Sequence, residues 1–193
     1  MIVDAIRTTV SAALGDLNGL FRQTGPVYTA TLTIDDGVRL PGGTRLLKHG
    51  TWDALVRIAP VDDQPVARTV CIKLPNAYSP GADQDFLLAS SGDGVPWHHA
   101  VLPAGAPGGR LYSSLWLYLA GVEPVTFGAR FTTDGIPGPG DSIEFLLSGL
   151  LSRFRRVGTL SLEREAPAAH VTFAAANCGE GVRALPPTLL YRG

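Results

Sequence analysis

The chain has 193 residues, enough for one domain with a substantial core. Apolar residues make up 45% of it and charged residues 17%, a balance that excludes intrinsic disorder. With 16 basic and 17 acidic residues the net charge is -1, which offers no field for nucleic acid or an anionic membrane.

No apolar run is long enough to span a bilayer. The first residues carry Asp4, Arg7 and Asp16 at intervals, without the basic-then-apolar layout of a secretory leader, so a cytoplasmic location is expected. Val3, Ile6, Val10, Leu14, Leu17 and Phe21 recur at three- and four-residue steps, predicting an amphipathic helix over 3–21. Gly15 and Gly19 loosen its end, and Thr24-Gly25-Pro26 breaks the chain. From Tyr28 to Ile34 the residues alternate, with Thr29, Thr31 and Thr33 on one face and Tyr28, Ala30, Leu32 and Ile34 on the other, as in a half-buried strand.

Further strands are predicted over 54–58, 70–74 and 85–89, then a Gly/Pro/Ala loop over 103–109 and a short helix over 112–119. The β rhythm resumes over 126–132, 142–147, 157–162 and 171–175. With 23 glycines and 15 prolines supplying turns, eight strands in a single domain spanning 1–193 predict a closed, mainly antiparallel barrel with the N-terminal helix outside it. Cys71 and Cys178 stand in separate β-like segments without metal-type spacing and are read as two buried free thiols.

Three segments follow one another with a charge at each strand or strand mouth: Val56-Arg57-Ile58-Ala59, Ala67-Arg68-Thr69-Val70-Cys71-Ile72-Lys73-Leu74-Pro75, and Asp85-Phe86-Leu87-Leu88-Ala89-Ser90-Ser91. With Thr24 to Ala30 before them, they resemble the first half of the barrel in catalase-related proteins. The resemblance implies a catalase-like barrel, with haem as the one cofactor it suggests. It also implies loss of the chemistry, because cleaving the peroxide O–O bond needs a proton-moving base, a dipole for the departing oxygen and an anionic iron ligand. Thr29 stands where the family has its distal His, Ala59 where a Ser supports that His, and Ser90 or Ser91 where an Asn stands. Tyr191 lies near the start of the family's Tyr-bearing helix, but Pro187 occupies the position of the Arg one turn earlier.

A short, divergent member without catalase activity is therefore expected, one that binds or transforms a small, largely apolar molecule. On the family geometry Thr29, Arg57 and Ser91 line the pocket. Arg57 either reaches a ligand, as the family's Arg reaches a haem propionate, or is tied to an Asp or to backbone carbonyls at the barrel mouth. Arg68 and Asp85 are expected to pair with each other. The other reading is a haem protein with peroxidase-like activity, its iron or its acid/base chemistry supplied by His98 or His99. On an extended segment these two histidines point opposite ways and do not chelate one metal together, so an exposed loop pair is the plainer expectation. His49 and His170 are read as surface residues, and Arg153, Arg155 and Arg156 as a solvated strand start. The expected partner is a small-molecule ligand, with self-association left open and neither nucleic acid nor membrane involved.

Overall fold

Alternating β-branched and aromatic residues set the architecture of the computed structural model, which describes residues 20–21, 25–59, 67–102, 110–167 and 171–192. Ten strands form in chain order: β1 (Val27–Ile34), β2 (Gly50–Ile58), β3 (Thr69–Ser79), β4 (Ala82–Ser91), β5 (Leu111–Ser113), β6 (Tyr118–Ala120), β7 (Glu123–Phe131), β8 (Ser142–Gly149), β9 (Arg155–Ala166) and β10 (Val182–Ala184). Neighbours pair antiparallel in the order β7-β5-β4-β3-β2-β1-β9-β8, and β8 returns to β7, closing an eight-stranded barrel. The β6 strand shares the β5 edge of β7, Tyr118 opposing Val125 where Ser113 opposes Gly128, and β10 extends β6 outward.

The period of two sends Tyr28, Ala30, Leu32 and Ile34 of β1, Val70, Ile72 and Leu74 of β3, and Phe86 and Leu88 of β4 into one interior cluster. Phe86, Tyr118, Phe127 and Phe145 fill its centre, with ring centroids 4.4 Å apart for Phe86–Phe127 and 5.2 to 5.8 Å for four other pairs. The described interior is thus a packed core. Both faces of β3 and β4 are buried, because Phe173, Ala175 and Tyr191 of the chain after β9 pack on their outer face with Phe21 and Leu115. Gly121, at φ +61°, turns β6 into β7 where a Cβ would collide with the Gly42 carbonyl oxygen, so this turn requires glycine.

Two predicted elements differ. The segment 112–119, expected to be helical, instead supplies β5 and β6, because both pair with β7 and tertiary pairing overrides local propensity. The eighth barrel strand is therefore β5, and 171–175 is irregular chain with one bridge, Ala174 to Arg192. Of the expected helix over 3–21, only Leu20 and Phe21 lie within the described residues, and Phe21 is buried against the outer wall. No helix among the described residues is long and apolar enough to cross a membrane.

Candidate functional site

Arg57, Cys71, Lys73, Asp85, Leu87 and Ala89 alternate with the interior residues and so face outward from β2, β3 and β4. The returning chain covers them with Phe173, Ala175 and Tyr191, and Phe21 and Leu115 complete a second apolar cluster outside the barrel. Asp85 pins this cover. Its carboxylate accepts from the backbone N–H of Ala174 and from Asn177 Nδ2, each at 2.8 Å. Lys73 Nζ lies 2.9 and 3.0 Å from its two oxygens and 3.0 Å from Asp83. Burial pushes the Asp85 carboxyl above its ordinary value, while the Ala174 N–H, Lys73 and Asn177 pull it back.

Two residues along the same face sits Arg57, paired with Cys71 across the strands. It is buried, donates from Nη2 to the Val171 carbonyl at 2.5 Å, and lies with its guanidinium carbon 4.7 Å from the centre of the Phe173 ring. Its Nε and Nη1 are buried without a hydrogen-bond partner. Burial lowers the Arg57 pKa, opposed by Cys71, and raises the Cys71 thiol to about 12. Cys71 is thus a protonated, inert thiol. Cys178 is also free, but it is half-buried on a loop rather than buried in a strand.

The three residues assigned to one pocket share the outer face but do not meet. Thr29 is partly exposed and donates to Glu163 at 3.3 Å, beside Thr31, which donates to the same carboxylate at 2.7 Å. A register shift in the β1–β9 ladder after Thr29 leaves Glu163 without an opposite residue and turns it toward these hydroxyls. Ser91 is buried at the far end of β4, opposite Leu111, and its hydroxyl has no partner. It stands two strands and four residues from Arg57, about 16 Å at ordinary strand spacing. Arg68 and Asp85 do not pair either. Arg68 precedes Val70 by two and belongs to the inward phase, where its charge acts on Tyr112, whereas Asp85 belongs to the outward phase.

His98 and His99 do not lie on extended chain. They form a 3-10 turn, Trp97–His99, which brings their rings face to edge with the Nε2 atoms 2.8 Å apart. His99 Nδ1 contacts the Leu115 carbonyl, which only accepts, so this nitrogen carries a proton. With both rings neutral, His99 Nε2 accepts from His98 Nε2–H, and His98 Nδ1 is a bare lone pair. That atom is buried without a partner. Burial first, and then the neighbouring His99, lower the His98 pKa to about 4, against a small upward pull from Asp93. His49 is exposed and pairs with Asp36 at 2.9 Å, as expected of a surface residue, and His170 lies outside the described residues.

The haem implied by the sequence resemblance does not fit these side chains. His99 uses both ring nitrogens, His98 offers only an enclosed one, and the Tyr191 ring packs on Phe21 at 5.0 Å with its hydroxyl buried against the barrel cover. Among the described residues no three His, Cys, Asp or Glu side chains cluster as metal ligands. What the outer wall does offer is a fixed cation in apolar surroundings, unable to move a proton near neutral pH. Sequence reasoning singled out Arg57. It missed Phe173 and Lys73, since Phe173 reaches Arg57 from 116 positions away and Lys73 looked like one more strand residue. Comparison with known protein families and with characterised proteins finds no match to the chain.

Proposed function

We propose that this protein is a catalase-like barrel without catalase activity that holds a small, largely apolar acid, its carboxylate anchored by Arg57. The observation that carries the reading is a buried guanidinium with, among the described residues, one carbonyl acceptor, no carboxylate partner, and two nitrogens without a hydrogen-bond partner. A buried cation left in this state costs folding free energy, and an incoming anion would offset that cost. Leu87, Ala89, Phe173 and Tyr191 make the surroundings apolar, which selects a ligand whose remaining surface is hydrocarbon. The tie to the catalase barrel rests on the sequence resemblance and is compatible with the closed eight-stranded antiparallel architecture.

The test is titration with the fluorescent fatty acid cis-parinaric acid and with its methyl ester. Saturable binding of the acid and not of the ester is expected, with Arg57→Met weakening the acid by roughly 2–5 kcal/mol. Without ligand, Arg57→Met should melt no lower than the parent, because an apolar replacement relieves an incompletely paired buried charge. Equal binding of acid and ester, or a markedly lower melting temperature for unliganded Arg57→Met, would refute the assignment.

A further inference from the structure

Two loops on one side of the barrel expose apolar side chains that neither the core nor the Arg57 site uses. One follows β4 and carries Val95 and Trp97, 46% and 58% exposed; the other joins β8 to β9 and carries Leu150 and Leu151, 47% and 84% exposed. Three contacts lock the loops together. Asp93 Oδ1 accepts from the Phe154 backbone N–H at 3.0 Å, the His98 and Phe154 rings meet edge-on with centroids 5.8 Å apart, and a Cβ on Gly94 would lie 3.7 Å from Arg153 Cγ. Phe154 in turn lies against Gly128 of β7, where a Cβ would meet its ring at 2.8 Å. The loops are thus held as one platform against the barrel.

Arg153 and Arg155 are exposed beside these residues, and among the described residues neither forms an ion pair, whereas Arg156 pairs with Asp35 at 3.0 Å. We infer that this platform, with Val95, Trp97, Leu150 and Leu151 at its tips and Arg153 and Arg155 at its flank, docks on the surface of an anionic lipid bilayer. Leucines at a protruding turn can enter the acyl boundary, and a tryptophan prefers the headgroup level. The arginines meet lipid phosphates from beside them. Charge complementarity selects the anionic bilayer. Area weighs against a second copy of the chain, since four side chains expose on the order of a few hundred Å² and a stable protein interface buries about 1,200–2,000 Å². The net charge of -1 gives no long-range field, so docking is short-ranged and salt-sensitive.

Flotation with vesicles of phosphatidylcholine, alone or with phosphatidylglycerol added, tests this. The protein should float with the mixed vesicles at moderate salt, and neither with the neutral ones nor at high salt. Arg153→Gln should lower the partition about five-fold, and adding Arg155→Gln should lower it by a similar factor again. Trp97→Ser with Leu151→Ser should lower it about ten-fold or more. If that pair unfolds, the two arginine variants decide, because both side chains are exposed. Failure of the parent to float with the mixed vesicles, or variants that float as well as the parent, would overturn the inference. So would a dimer in sedimentation that Trp97→Ser dissociates, which would assign the platform to self-association.

Discussion

Burial first, and then the neighbouring His99, hold His98 neutral. With His98 held neutral, its pKa falls from 6.5 to about 4, so the folded state takes up the proton less readily than the unfolded chain. The stability that this neutrality contributes is fully present above the unfolded value of 6.5 and is lost as the pH falls through the window down to about 4. The loss amounts to up to about 3 kcal/mol. Denaturant unfolding across that window should show a steeper decline for the parent than for His98→Leu, and parallel curves would remove His98 as the cause. The pair was visible in the sequence as a dipeptide. That its rings face each other was not, because facing depends on a turn closed by Gly94 and Pro96 carbonyls, to which His98 and His99 donate their backbone N–H groups.

At the level of elements, Asp85 fastens the chain after β9 to the wall of β3 and β4. Its carboxylate holds Lys73, Ala174 and Asn177, and its backbone N–H donates to the Asn177 carbonyl at 2.9 Å. Asp85→Ala should cost about 2–3 kcal/mol, since the Ala174 N–H and the Asn177 amide lose their acceptor and Lys73 keeps only Asp83. Pairing Asp85→Leu with Lys73→Met should recover most of that loss, because an apolar pair of similar volume replaces the ion pair. Unfolding free energies of the two proteins check both statements, and limited proteolysis should cut residues 171–192 faster in Asp85→Ala. A loss no greater than that of an exposed carboxylate would show that the cover is held by Phe173 and Tyr191 instead. The predicted pairing of Asp85 with Arg68 fails on alternation alone: the two belong to opposite phases of the sheet.

For the molecule as a whole, the positions that the sequence resemblance would make catalytic hold side chains engaged elsewhere or unable to act: Thr29 donates to Glu163, residue 59 is alanine, and the Tyr191 ring lies tilted against Phe21. The protein incubated with haemin should therefore evolve oxygen from peroxide no faster than free haemin, since loss of one acid–base group alone costs on the order of 100-fold to 10,000-fold. Oxygen release well above that level would require a catalytic arrangement different from the one described. Alternation along β1, and the succession of short apolar segments separated by glycine and proline turns, determined from sequence that the chain builds an antiparallel barrel of about eight strands, because strand period and turn chemistry are local properties written in consecutive residues. The sequence also determined the position of Arg57 at a strand end. Only the tertiary structure decided that β5 completes the barrel, that Phe173, Ala175 and Tyr191 cover its outer wall, and that Arg57 meets Phe173 beneath that cover. Those outcomes depend on which surfaces remain unpaired once the neighbouring strands have formed, and no local pattern in the chain carries that information.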